Sequence, residues 1–165
     1  MSRVRFINQT VEALLKAPSN SRLYLGADSV RYTKGNRAFA KVTVVAVIHL
    51  AGSKGCQVVS IMEQKEVFDK NLAKPQTRMM AEAMFLSEIY LQLEEVLLEN
   101  NLIHIPVEVH LDIASDAKHG SNCAAKQAAG YIIGTCNVEP KLKPEAWAAS
   151  TAADLAPKKL HLTYN

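Results

Sequence analysis

Pro106-Val-Glu-Val-His-Leu-Asp-Ile-Ala-Ser-Asp116 alternates along its length. Val107, Val109, Leu111 and Ile113 fall on one side of an extended chain, and Glu108, His110 and Asp112 on the other. The β-branched residues favour a strand, as does a Pro at the first position, where its missing N–H costs no ladder bond. Asp112 ends the polar side. An Asp there can bond nearby backbone in a turn, or it can ligate a metal ion. On this stretch alone the turn is the commoner reading, and the rest of the chain has to separate the two.

At 165 residues, 48% hydrophobic and 21% charged, the chain has the make-up of an ordinary globular protein. It predicts one domain over 1–165, with residues 1–20 as an N-terminal helical extension. The net charge of +3 is compatible with an anionic partner and too mild to require one. Cys56, Cys123 and Cys136 form no Cys-x-x-Cys pair, so neither a disulfide framework nor a thiolate zinc site is supported. Reduced thiols fit a cytoplasmic protein. The N-terminus lacks the apolar core of a signal peptide. The longest apolar run, Val42–Leu50, is broken by Thr43 and His49 and is too short to span a bilayer. The expectation is a soluble intracellular protein with no membrane partner.

Val4, Ile7, Val11, Leu14 and Leu15 have helical spacing, although Asn8, Gln9 and Thr10 also allow a helix beginning near Thr10. Leu23–Ser29 reads as a strand ending in Asp28, with Tyr24, Gly26 and Asp28 on one face. Gly26 leaves room for another backbone or a ligand to approach closely. Arg31–Arg37 reads as a turn whose cations Arg31, Lys34 and Arg37 either touch phosphate or are a solvated hairpin tip. Ala38–Leu50 and Cys56–Val67 form an antiparallel hairpin. Thr77–Asn100 is the longest helix, with an apolar stripe through Met79, Phe85, Leu86, Ile89, Leu93, Val96 and Leu97.

Glu82 lies within that stripe, where a carboxylate is costly unless compensated or at its wet edge. Glu88 lies about 240° further round and points elsewhere. Ala114–Ser121 is a loop, and Asn122–Gly134 a helix capped by Ser121. Val138–Lys143 is a short strand. Pro144 opens an Ala-rich helix over Glu145–Leu155. Asp154 stands near that helix's C-terminal end, against the helix dipole.

A three-stranded meander followed by alternating helices and strands makes a mixed sheet flanked by helices. Four segments then resemble the ribonuclease H superfamily, and within it the YkuK-like family of predicted RNase H-related proteins. They are Leu-Gly-Ala-Asp-Ser (25–29), Ala-Glu-Ala-Met-Phe-Leu-Ser-Glu (81–88), His-Leu-Asp-Ile (110–113) and Leu-Lys-Pro-Glu-Ala-Trp-Ala-Ala-Ser-Thr-Ala-Ala-Asp (142–154). The likeness runs over roughly Arg22–Lys158. Val30 and Leu155 depart from the Gln and Arg expected there, and the loop 114–121 is longer than expected. These departures bear on substrate contacts and rate more than on metal binding.

The resemblance implies an RNase H-like α/β fold with a five-stranded sheet and a nuclease acting on RNA, DNA or hybrid. It implies one or two Mg²⁺ or Mn²⁺ ions at Asp28, Glu82, Asp112 and Asp154. That agrees with the residues: carboxylates are hard oxygen ligands suited to those ions, and converging carboxylates repel until a cation relieves them. Lys118, His119, Ser121, Lys143 and Lys158 are candidate nucleic-acid contacts. His110 reads as a sheet histidine rather than a ligand, and Trp147 as a packing anchor, although it could stack on a base. Two rival readings remain. One is an RNase H-like module that binds nucleic acid or a protein without cutting. The other is half of an actin-like ATP-using fold, for which a Gly-rich phosphate loop is missing.

Overall fold

The computed structural model describes residues 1–51, 54–69, 71, 74–116 and 118–149. In chain order the elements are α1 (Arg3–Lys16), β1 (Arg22–Lys34), β2 (Arg37–His49), β3 (Cys56–Val67), α2 (Gln76–Glu99), β4 (Val107–Ala114), α3 (Asn122–Cys136) and β5 (Lys141–Lys143). The five strands form one sheet in the order β3-β2-β1-β4-β5. β1, β2 and β3 make the antiparallel meander, and β4 and β5 join it in parallel. The fold class read from the sequence is the observed one.

One face of the sheet carries the main core. Leu23, Leu25 and Ala27 of β1, Val42, Val44, Ala46 and Ile48 of β2, and Val109, Leu111 and Ile113 of β4 are all buried there. Phe85, Leu86, Ile89 and Leu93 of α2 cover them, as the helical stripe requires. Glu88 points away from this stripe and accepts from Arg3 Nη2 at 2.6 Å. Arg3 also grips both oxygens of Glu63 at 2.6 and 3.0 Å, which ties α1 to β3 and α2. The opposite face carries a smaller cluster, in which Val45, Val47 and Tyr24 pack against Ala148.

Several boundaries differ from the sequence reading. α1 is continuous from Arg3, because Ser2 Oγ caps Arg5 N–H and the Thr10 hydroxyl donates to Phe6 O at 2.9 Å. A polar run is therefore absorbed inside the helix. Arg31–Arg37 is mostly strand: β1 runs to Lys34 and β2 resumes at Arg37, leaving a two-residue turn. Gly35 takes φ +59° there, the positive value that tight hairpin turns need. Ser121 sits at the start of α3 but does not cap it. Its Oγ accepts instead from Ala114 N–H at 3.1 Å, closing the loop onto β4. β5 is only Lys141–Lys143. Pro144 lies in a turn in which Glu145 and Ala146 donate to Leu142 O, so helical backbone begins at Trp147 rather than at Glu145, and residues 150–155 of the expected helix lie outside the described residues.

Candidate metal centre

The parallel pairing of β1 with β4 ends at Ala27↔Leu111. The next residues on the two strands are Asp28 and Asp112, so these carboxylates leave neighbouring strands side by side. Both lie on the sheet face opposite the main core. Asp28 is half-buried, and its Oδ1 accepts from Ser29 N–H at 2.7 Å. Asp112 is 17% exposed and lies 2.8 Å, through Oδ1, from Lys143 Nζ. β5 pairs Lys143 with Ala114 after a shift in register, and this brings the ammonium back to Asp112.

Glu82 comes from the other side. Its side chain is fully buried on the stripe of α2. Oε1 accepts from Ser29 Oγ at 2.5 Å, while Oε2 has no hydrogen-bond partner. Burial pushes the Glu82 carboxyl well above the usual range. The Ser29 hydrogen bond and the Arg78 charge oppose this, and the negative charges of Asp28 and Asp112 add to it. The three carboxylates therefore feel one another electrostatically.

Two residues given no site role in the sequence reading organise this side of the site. Ser29 donates to Glu82 and accepts from Arg78 Nη1 at 3.3 Å, and Arg78 also donates to Ser29 O at 2.6 Å. Arg78 stands four residues before Glu82, one helical turn away, and that spacing was the available signal. Asp69 fixes the start of the helix by accepting from Thr77 and Arg78 N–H at 2.6 and 3.0 Å.

The supporting residues divide. Lys143 sits at the centre. Lys118 and His119 are exposed in the loop after β4, where Asp116 Oδ1 accepts from Lys118 N–H at 2.9 Å. Asp116 is thus the turn residue of the pair Asp112 and Asp116. Ser121 has the loop-closing role already described. Asp154 and Lys158 lie outside the described residues. His110 is buried, and its Nδ1 accepts from Ala148 N–H at 3.1 Å. The Trp147 ring packs 4.8 Å from Tyr24 and 5.7 Å from His110, centroid to centroid, as a packing anchor does.

A family model described as Ribonuclease H-like matches residues 5–158. The chain belongs to this family. No curated protein and no solved structure matches it. Among the described residues, no helix is long and apolar enough to cross a membrane.

A ribonuclease H-like fold implies divalent cations at its carboxylates. The donors here are hard oxygens, and Glu82 Oε2 is a buried carboxylate oxygen with no partner, so the residue types fit such an ion. Among the described residues, no three His, Cys, Asp or Glu side chains already stand close enough together to hold one ion. Lys143 and Ser29 currently engage two of the three carboxylates.

Proposed function

We propose that this protein is a divalent-cation-dependent hydrolase of phosphodiester bonds in nucleic acid. The observation that carries the reading is Glu82, a fully buried carboxylate with one unpartnered oxygen, within electrostatic reach of Asp28 and Asp112. A buried carboxyl oxygen left without a hydrogen-bond partner is costly, and a packed apolar residue in its place would not be. Asp28, Glu82 and Asp112 would hold Mg²⁺ or Mn²⁺, with Asp154 as a fourth candidate ligand. One or two such ions supply Lewis-acid polarisation of the phosphodiester and offset the charge that develops on it.

The chain's own groups prepare that chemistry. Ser29 and Arg78 fix the rotamer of Glu82 from the core side. Lys143 neutralises Asp112 and is 44% exposed, so its ammonium can turn outward to a substrate phosphate. Lys118 and His119, on the exposed loop after Asp112, would add further phosphate contacts.

The test is calorimetric Mn²⁺ titration of wild type, Asp28→Asn and Asp112→Asn, paired with cleavage of labelled RNA, DNA and hybrid in Mn²⁺ or chelator. Wild type should bind the ion and cut, and each variant should lose roughly ten-fold or more in ion affinity, in line with carboxylate ligation. Equal weak binding by all three proteins would overturn the reading.

A further inference from the structure

Beyond Asp28, the outer face of the sheet has a character that the carboxylate centre does not use. Val30 and Tyr32 of β1 follow Asp28 on that face, paired with Lys41 and Phe39 of β2. The segment 146–149 covers Gly26 and Tyr24, yet Val30 is 61% exposed. Tyr32 and Phe39 stack with ring centroids 5.6 Å apart and planes 22° from parallel. Lys41 Nζ lies 5.4 Å from the Tyr32 centroid, and Lys34 pairs with Arg37 at the hairpin tip. Among the described residues, Glu66, opposite Phe39 on β3, pairs with one of these three cations, 3.8 Å from Arg37 Nε. A cross-strand aromatic pair alone stabilises a hairpin. It does not account for the cations around the half-buried rings, or for the exposed Val30, Lys34, Arg37 and Lys41 that line the face leading to Asp28.

We propose that this strip binds single-stranded nucleic acid. A base stacks on the Tyr32–Phe39 pair, the ammonium and guanidinium groups of Lys34, Arg37 and Lys41 hold phosphates, and the strand runs along β1 to Asp28. Aromatic area beside cations is how sequence-tolerant single-strand grooves work, because every base has a π-face and every nucleotide a phosphate. Tyr32 lies four residue steps along β1 from Asp28, about 13 Å at the usual rise, a reach of a few nucleotides. In a duplex the bases are stacked inside and have no free face for the platform. In delivering the strand to the carboxylates this inference rests on the reading above; binding to the platform does not.

The experiment is fluorescence anisotropy in chelator and low salt, with the intact chain and labelled single-stranded RNA, single-stranded DNA and duplex DNA of one sequence. Single strands should bind more tightly than duplex, and the two sugars distinguish RNA from DNA as the preferred ligand. Tyr32→Ala and Phe39→Ala should each weaken single-strand binding by about ten-fold, whereas Tyr32→Phe should retain it. Lys41→Gln, an exposed position that spares the fold, should weaken binding and lower the salt slope by about 0.7. A doubly substituted Asp28→Asn, Asp112→Asn chain should bind the oligonucleotide at least as tightly as wild type, even where it cuts nothing, so a failed nuclease and a failed platform give different results. Wild-type affinity in Tyr32→Ala and Lys41→Gln, a preference for duplex, or no single-strand binding at all would each overturn the inference.

Discussion

Replacing Gly26 by Ala tests the architecture of the site from its floor. Gly26 lies on β1 two residues before Asp28, paired with His110 of β4 and facing the segment that follows β5. A Cβ built there meets Ala148 C and Ala149 N at 2.6 Å and Ala148 O at 2.7 Å, where ordinary contact begins near 3.4 Å. All three are backbone atoms, so no side-chain rotation relieves them. The 146–149 segment must retreat by about 0.8 Å. A retreat of that size away from the sheet takes the 3.1 Å bond from Ala148 N–H to His110 Nδ1 out of hydrogen-bond range.

Overpacking of this kind costs about 1–3 kcal/mol. Relief of glycine's backbone entropy in a strand offsets roughly 0.5–1 kcal/mol of that, which leaves a net loss of about 1 kcal/mol, and at most about 2.5 kcal/mol. Urea unfolding should show a lower midpoint with an unchanged slope. Amide exchange at Ala148 should accelerate, and the fluorescence of Trp147, the protein's one tryptophan, should shift. Gly130→Ala is the comparator. It lies in α3 with open space where a Cβ would go, and it should gain about 0.5–1 kcal/mol. If Gly26→Ala is as stable as wild type and Ala148 stays equally protected, the close approach of the two backbones is not what seats this segment, and the reasoning fails.

Two further outcomes are expected. Arg3 holds the Glu63 carboxyl down to about 2 from an ordinary 4.5, so the pair's contribution is present above the ordinary range and lost as pH falls towards 2. Arg3→Gln should therefore cost about 1 kcal/mol at neutral pH, and thermal melts should show the gap closing in acid; a gap of constant size down to pH about 2 would refute the pairing. Lys143→Met removes the ammonium 2.8 Å from Asp112, so Mn²⁺ titration should show several-fold tighter binding; unchanged or weaker affinity would mean that Lys143 does not compete for that carboxylate.

Much of this arrangement was legible because strand period and helical stripe are strong constraints. The alternation of Val107–Ile113 places Asp112 on the outer face, and the meander places β1 beside β4. Glycine at position 26 signalled a close backbone approach, and the backbone that approaches is that of Ala148 and Ala149. The stripe also flagged Glu82, which is wholly buried. Other features were hidden for physical reasons. Arg31–Arg37 looked like a turn because its cations are polar, yet a hairpin's ladder continues through polar residues whenever the two strands pair to the tip. Ser121 occupies a capping position, but the nearby Ala114 N–H competes for the same oxygen. Ser29 stood in the Leu-Gly-Ala-Asp-Ser segment without a role of its own, and a period of two puts it on the opposite face from Asp28.

That opposition is what makes the site intelligible. Asp28 and Asp112 point away from the main core, while Ser29 and Glu82 meet on the core side. Across an unbroken ladder these groups would be separated by the sheet itself. The β1–β4 ladder, however, stops at Ala27↔Leu111, one residue before both aspartates. Past that point β1 and β4 no longer pair, and the negative charges of Asp28 and Asp112 add to the upward push on the Glu82 carboxyl. A carboxylate buried for packing alone would gain from lying far from two others. Glu82 instead meets Ser29, the residue after Asp28, which holds only one of its oxygens and is itself held by Arg78. On our reading the free oxygen is the one kept for a cation. Glu82→Gln, which keeps an acceptor for Ser29 and removes the ability to ionise, should then leave the fold intact while weakening Mn²⁺ binding. Unchanged ion affinity in that variant would return Glu82 to the role of a buried structural acid.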